Sequence, residues 1–131
     1  MFKIFKELPA VKAGDEVAIL SPSFAGPGKF PEVFELGLER MRTVFNLEPV
    51  EYPTTRKLGA SAEERSRDLI AAFENPEIKA VFASIGGDDQ VTYVPMLPPE
   101  PFIANPKPFF GYSDNTHFAH FLWLNGIPRH G

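Results

Sequence analysis

The feature that most limits the fold of this chain is a series of short apolar runs, each followed by a segment of helical periodicity. The clearest runs are residues 17–20, which end at a Ser-Pro-Ser turn, and residues 80–83 within a predicted strand over 78–85, which ends at a Gly-Gly pair. An unbroken apolar run of this length indicates a strand buried on both faces, which is typical of a parallel sheet. We expect the 78–85 strand to be central.

Helical patterns separate the predicted strands. Residues 30–46 carry apolar side chains at helical spacing, and residues 61–64 read Ser-Ala-Glu-Glu, a capping box that begins a second helix. Shorter strands are predicted over 47–52 and 109–112, and a last helix over 114–125. The apolar stripe of the first helix consists of Phe34, Leu38, Met41 and Phe45.

Six prolines fall within residues 95–108, so no long regular element is expected there and a surface connection fits best. The order of elements is then βαβαβ, a loop, and βα. This alternation predicts a single α/β domain of the flavodoxin-like, doubly wound type, with a mainly parallel sheet and right-handed crossovers. Residues 127–131 resemble the start of a further strand or a linker.

Composition and charge exclude several classes of function. The formal net charge of −4 comes without a basic cluster, so neither nucleic acid nor an anionic membrane is an expected partner. Residues 1–12 lack the continuous apolar stretch of a signal peptide or membrane span. The absence of cysteine excludes disulfides, a thiolate nucleophile and a Cys-based zinc site, and it fits a cytoplasmic protein. No cofactor is expected.

Three polar segments follow predicted strands, at residues 21–28, 86–90 and 111–116. Ligands of open parallel sheets bind beyond the carboxyl ends of the strands, where such loops meet the amino termini of helices. We therefore expect these three segments to form one crevice. The first of them lacks the glycine pattern of a nucleotide loop, and it is interpreted as a structural turn.

The segment with the most specific pattern reads Gly-Tyr-Ser-Asp at residues 111–114, between a predicted strand and a predicted helix. This is the setting of a nucleophile elbow, in which Ser113 projects its hydroxyl and the N–H of Asp114 points to a developing oxyanion. A plain helix N-cap at Ser113 or Asp114 is the alternative from spacing alone. Asn115 stands where the usual elbow has a second glycine.

Residues 86–89 read Gly-Gly-Asp-Asp, and the amides of Gly86 and Gly87 could form an anion-binding or oxyanion nest. A glycine turn followed by an Asp-capped short helix is the alternative. A magnesium site would need further acids on other strand ends, which are not seen. His117 and His120 lie on the helix that Ser113 begins, so neither is expected to reach the serine hydroxyl, and the catalytic base is not visible.

Several motifs in order resemble the LD-carboxypeptidase family of serine peptidases, which includes the microcin C self-immunity peptidases. They are Gly14-Asp15, the Ser-Pro-Ser turn at 21–23, the pattern Arg65, Asp68, Leu69, Ala72 and Phe73, the pair Gly86-Gly87, and Asn105-Pro106-Lys107 followed by Gly111-Tyr112-Ser113-Asp114. The resemblance covers almost the whole chain. Gly-Gly-Asp-Asp, where many carboxypeptidases carry Gly-Gly-Tyr-Gly, favours the microcin-immunity branch.

The resemblance implies a Ser-Glu-His triad with Ser113 as nucleophile, and with the amides of Asp114, Gly86 and Gly87 as the oxyanion hole. Residues 1–131 would be the amino-terminal, nucleophile-bearing domain, and Glu and His would come from a carboxy-terminal domain absent from this chain. The implied substrate is a peptide or peptidyl conjugate cut at an amide next to a carboxylate. Members cleave murein tetrapeptides or aminoacyl-nucleotide conjugates. The resemblance does not decide whether the protein forms a homodimer.

Two other functions stay open at this point. A non-catalytic flavodoxin-like module could use the same crevice for a small anionic ligand. An α/β-hydrolase esterase would need Asp and His after the serine and a longer series of strands before it.

Overall fold

The computed structural model describes residues 4–128. Four strands form one all-parallel sheet in the order β2-β1-β3-β4, with helices on both of its faces. The strands are β1 (Glu16–Leu20), β2 (Glu48–Glu51), β3 (Ile78–Ala83) and β4 (Phe109–Phe110). The helices are α1 (Gly26–Lys29), α2 (Pro31–Thr43), α3 (Ala62–Glu74), α4 (Glu100–Ala104) and α5 (Thr116–Leu124). Single 3₁₀ turns occupy Gln90–Thr92, Val94–Met96 and Ser113–Asn115.

The sheet confirms the predicted α/β class and the central place of β3. This strand pairs with β1 on one side and with β4 on the other, so that Val81 lies between Ala18 and Phe109 in register. All three of these residues are almost completely buried. An apolar run without alternation was the correct sign of a strand covered on both faces.

Helix α3 begins at the predicted capping box. The Ser61 hydroxyl accepts a hydrogen bond from the Glu64 N–H at 3.1 Å, and the Ser61 N–H donates to the Glu64 carboxylate at 3.4 Å. These bonds satisfy two of the backbone donors that a helix start leaves unpaired. The helix then buries Leu69 and Phe73 against the sheet, as its periodicity predicted.

Phe118 of α5 is the centre of an aromatic cluster that fills the α3 and α5 side of the sheet. Its ring is completely buried, and it meets the rings of Phe73, Phe102 and Phe109 edge-on, with centroids 5.8, 5.4 and 4.8 Å away. Edge-to-face pairs at these distances add to the stabilisation that comes from burying the rings. The packing of this cluster fixes the position of α5 on the sheet, and therefore also the position of the turn before it.

Replacing Phe118 with alanine is expected to lower the free energy of unfolding by about 3–5 kcal/mol, because it leaves a cavity among rings that cannot collapse to fill it. The matched control is Phe45→Ala, since the Phe45 side chain is 64% exposed. Urea unfolding followed by circular dichroism measures both variants. Equal losses of stability in the two would contradict this description of the core.

Two local expectations were wrong. The first helix ends at Thr43 rather than Asn46, and Asn46 adopts a left-handed turn with φ of 53°. That turn leaves Phe45 exposed and places Leu47 in the core instead. The proline-rich segment is also more than a surface connection, because the short α4 inserts Phe102 into the core with no exposed surface.

Lys107, part of the Asn-Pro-Lys motif, has a structural position at the end of α3. Its ammonium group donates hydrogen bonds to the carbonyl oxygen of Ala72, at 2.9 Å, and to that of Asn75. The Ala72 carbonyl is one that the last turn of a helix leaves without a backbone partner, while the Asn75 carbonyl also accepts from the Ile78 N–H at 3.1 Å. Burial, with a smaller contribution from the charge of Lys79, lowers the pKa of Lys107 to about 8.

The sheet face under α2 is covered only in part. A groove of about 580 Å³ lies between α2 and the strands, and Phe30 and Ile85 on its rim are half-exposed. At the other end of the chain, Gly126 ends α5 with a φ of 83°, as predicted, and Ile127 is buried. Residues 129–131 of the predicted final segment, which include His130, lie outside the described residues. Within residues 4–128 no helix has the length and apolar character needed to cross a bilayer.

Candidate active site

The three polar segments predicted to share a crevice do meet at the carboxyl edge of the sheet. Ser23 and Phe24 of the first turn lie against Gly87 of the second, and Ser113 of the third lies against Gly86. Between them is a cavity of about 520 Å³. It is lined by Phe24, Ala83, Ser84, Ile85, Gly86, Gly87, Asp88, Gly111, Tyr112, Ser113 and Asn115.

Ser113 adopts a strained backbone conformation at the mouth of this cavity. Its φ is 60°, in the left-handed region that residues other than glycine rarely enter. The residue is exposed, and within residues 4–128 its hydroxyl makes no hydrogen bond. A sharp turn of this kind between a strand and a helix is the geometry that lifts a serine hydroxyl above a sheet.

Gly86 and Gly111 allow the backbone to approach the serine turn closely. A Cβ atom on Gly86 would lie 2.9 Å from Ser113 Cβ and 3.0 Å from its Oγ, and one on Gly111 would lie 2.9 Å from the Cβ of Asn115. Real Cβ atoms essentially never come this close to another heavy atom, so both positions require glycine.

The backbone around Ser113 leaves several donors unused. Among the described residues, no hydrogen bond occupies the N–H groups of Gly86, Gly87 or Asp114. The Asp114 nitrogen is 3.3 Å from the point where a Gly86 Cβ would stand, so the serine turn lies directly against the Gly-Gly turn. Free N–H groups at the start of a helix form a ready site for negative charge.

The Asp114 side chain joins the three turns rather than capping its own helix. Its Oδ2 atom accepts hydrogen bonds from the Ser23 hydroxyl at 2.5 Å and from the N–H groups of Asp89 and Gln90 at 3.2 and 3.1 Å. No side chain caps the 3₁₀ turn at Ser113 or the start of α5. The structure therefore gives neither Ser113 nor Asp114 the role of a simple N-cap.

Gln90 is a supporting residue that the sequence did not single out. Its side chain is completely buried. The amide nitrogen donates to the Ser23 hydroxyl at 2.9 Å and to Asn115 Oδ1 at 2.7 Å. The amide oxygen accepts a hydrogen bond from the Phe118 N–H. Asn115 in turn donates to the carbonyl groups of Ile85 and Tyr112, each at 3.1 Å. The amide of Asn115 thus fills the place of the usual second glycine and fastens the turn.

Arg65 binds to two of the turns that form the crevice. Its guanidinium group donates to the carbonyl oxygen of Pro22 at 3.1 Å, pairs with the Asp89 carboxylate at 2.8 Å and lies over the ring of Tyr93. The Tyr93 hydroxyl donates to the same carbonyl, and burial raises the pKa of Tyr93. The sequence showed Arg65 only as part of a pattern. Its role becomes visible when the Ser-Pro-Ser turn is seen to lie beside it.

The two described histidines lie on α5, as predicted. His117 has its Nε2 atom 3.5 Å from Asp114 Oδ1, and His120 stacks on the ring of Trp123. Neither makes a contact with Ser113 within the described part of the chain. In residues 4–128 there is also no cluster of three or more His, Cys, Asp or Glu side chains suited to a metal ion.

The fold and this crevice define an α/β domain whose parallel sheet presents an exposed serine at a strand-to-helix turn. The chain belongs to the LD-carboxypeptidase family, because the family's N-terminal domain matches residues 17–130. This confirms the resemblance inferred from the motifs.

Named relatives agree with this family. The microcin C7 self-immunity protein MccF of Escherichia coli is 39% identical over 54 residues, which cover 41% of this chain and 16% of MccF. YocD of Bacillus subtilis, named for a presumed carboxypeptidase activity, is 28% identical over 118 residues, which cover 86% of this chain and 36% of YocD. A Vibrio cholerae protein with the same kind of name is 28% identical over 82% of this chain and 33% of its own length. The chain therefore spans about a third or less of these relatives.

Solved structures show the same fold. MccF in complex with aspartyl sulfamoyl adenosine superposes with a TM-score of 0.83 at 25% identity, covering 96% of this chain and 37% of that one. An MccF-like protein from Bacillus anthracis superposes with a TM-score of 0.84 at 27% identity, covering 92% of this chain and 38% of that one.

Proposed function

We propose that this chain is the nucleophile-bearing part of a serine carboxypeptidase that hydrolyses an amide by acyl transfer. Ser113 is the nucleophile, and the N–H groups of Asp114, Gly86 and Gly87 hold the oxyanion. The observation that carries the proposal is the exposed Ser113 at φ 60° beside unoccupied N–H donors. An otherwise costly backbone conformation is most easily explained by a role for the side chain that it presents.

The reaction has two steps. The Ser113 oxygen attacks the carbonyl carbon and loses its proton to a base, and the amine leaves with a proton from that base to give an acyl-enzyme. Water then attacks the ester and releases the acid. The hydrogen bonds from the N–H donors to the substrate oxygen become stronger as negative charge develops on that oxygen. They therefore stabilise the transition state more than the bound substrate and lower the barrier.

No base lies near Ser113 among residues 4–128, and we propose that His and its orienting Glu come from a further domain of the protein. The short length of the chain relative to its relatives supports this division. The substrates that fit the family are a murein tetrapeptide or a peptidyl-nucleotide conjugate, each with an amide next to a carboxylate. MccF, which has the same fold, was solved with an aminoacyl sulfamoyl nucleoside.

Residues 1–131 alone are expected to be inactive, while the full-length gene product hydrolyses the amide and forms a covalent intermediate at Ser113. Removing a triad member typically lowers kcat by about 10⁴- to 10⁶-fold. Rapid quenching followed by peptide mass spectrometry would locate the acyl group. Ligand binding without turnover by the full-length protein would instead favour the anion-binding module, and turnover by residues 1–131 would contradict the division of the triad.

A further inference from the structure

The crevice beside Ser113 carries a single charged side chain, Asp88. Among the described residues that line the cavity, all others are neutral: glycine, alanine, serine, asparagine, tyrosine, phenylalanine and isoleucine. Asp88 also lines a smaller cavity of about 150 Å³ with Lys57 and Arg65 on the far side of the Gly-Gly turn. Asp88 is exposed and lies between these two cavities, on the turn that faces Ser113.

The neighbouring charged side chains are ion-paired or hydrogen-bonded within the protein, but Asp88 is not. Asp89 pairs with Arg65, Lys57 pairs with Glu64, and Asp114 is surrounded by three donors. Within residues 4–128 the Asp88 side chain has no hydrogen bond or ion pair. The Asp88 carboxylate therefore gives its side of the cavity a charge that favours a cation.

We propose that Asp88 is a specificity-determining residue that selects substrates with an ammonium group beside the scissile carbonyl. This inference rests on the proposed function, since it takes Ser113 as the attacking group. The ammonium nitrogen of an aminoacyl group is two bonds from the carbonyl carbon. A carbonyl placed for attack by Ser113 therefore carries that nitrogen into the cavity that Asp88 lines. Of the two substrate classes above, this chemistry favours the nucleotide conjugate, in the form whose aminoacyl group keeps a free α-ammonium.

The test compares alanyl sulfamoyl adenosine with its N-acetyl counterpart, in which acetylation removes the ammonium charge. Calorimetry measures Kd in a full-length Ser113→Ala background, which prevents turnover, and the wild-type Ser113 protein gives kcat/KM. Asp88→Asn is expected to weaken binding of the charged ligand, and its kcat/KM, by about tenfold, the size of a close charge pair in a partly shielded site. The N-acetyl ligand is expected to change less than twofold.

Asp15→Asn is the matched control. It removes the same charge from the chain, but Asp15 lies before β1, at the opposite end of the strand from the crevice, where it accepts a bond from the Lys12 N–H. The ratio of the two affinities is expected to stay unchanged in this variant.

The outcomes separate the two proposals. If the enzyme turns over both substrates and Asp88→Asn changes them equally, or not at all, the role of Asp88 is overturned and the proposed function stands. If neither ligand is hydrolysed but Asp88→Asn still weakens binding of the charged one alone, the peptidase assignment fails and the selection by Asp88 stands. Failure of the charged ligand to bind at millimolar concentration overturns the role of Asp88.

Discussion

Replacing Ser113 with alanine in the full-length protein is expected to lower kcat for amide hydrolysis by about 10⁴- to 10⁶-fold. The variant lacks the oxygen that forms the acyl-enzyme, so only the stabilisation from the oxyanion donors and substrate binding remains. Single-turnover kinetics measures the loss, and the substrate KM is expected to change little because the hydroxyl contributes little to ground-state binding.

The fold should tolerate this change well. The Ser113 hydroxyl makes no hydrogen bond within the described part of the chain, so its removal leaves no buried partner unsatisfied. Ser66→Ala is a suitable control, because the Ser66 hydroxyl donates only to the Ala62 carbonyl of its own helix, at 2.8 Å. A Ser113→Ala protein that keeps more than a hundredth of the wild-type kcat would remove Ser113 from the mechanism.

The second large effect is expected at Gly86. An alanine methyl group would lie 2.9 Å from Ser113 Cβ, 3.0 Å from its Oγ and 3.3 Å from the Asp114 nitrogen. The serine turn must therefore move away from the Gly-Gly turn, and the donors no longer converge on one oxyanion position. Loss of one such donor typically lowers kcat by about 10²- to 10³-fold, and we expect a similar loss in Gly86→Ala.

Gly37→Ala is the matched control for this substitution. Gly37 lies in α2, where an added Cβ would meet no atom within 4 Å, and alanine in a helix interior is expected to stabilise the protein by about 0.5–1 kcal/mol. Thermal unfolding and kcat are measured on both variants. If Gly86→Ala keeps full activity, the Gly-Gly turn is not part of the oxyanion site.

The local elements could be predicted from the sequence because each depends on neighbouring residues. The apolar run of β3 needs no partner to be recognised, and the capping box joins Ser61 to Glu64, three positions apart. The Ser113 turn was recognised in the same way, from a glycine and a helix start on either side of it. The end of the first helix was missed, because Asn46 reversed the chain there without a strong turn signal.

The support of the serine turn could not be predicted in this way. Ser23 contacts Asp114 across 91 positions of the chain, and Gln90 contacts Asn115 across 25. Buried polar side chains such as these are recognised only by the partners that satisfy them. The burial of Phe102 within the proline-rich segment has the same origin, because the aromatic rings that surround it come from α3 and α5.

The sequence by itself determined the α/β class, the family and the serine at the strand-to-helix turn, since these follow from short patterns and their order. Only the tertiary structure decided which side chains support that turn and that Asp114 joins three loops. It also decided that Asp88 is the one charged side chain among the described residues that line the crevice. The physical reason is that the parallel sheet brings distant loops to one edge. Hydrogen bonds and electrostatic potential depend on distances through space, which chain order does not fix.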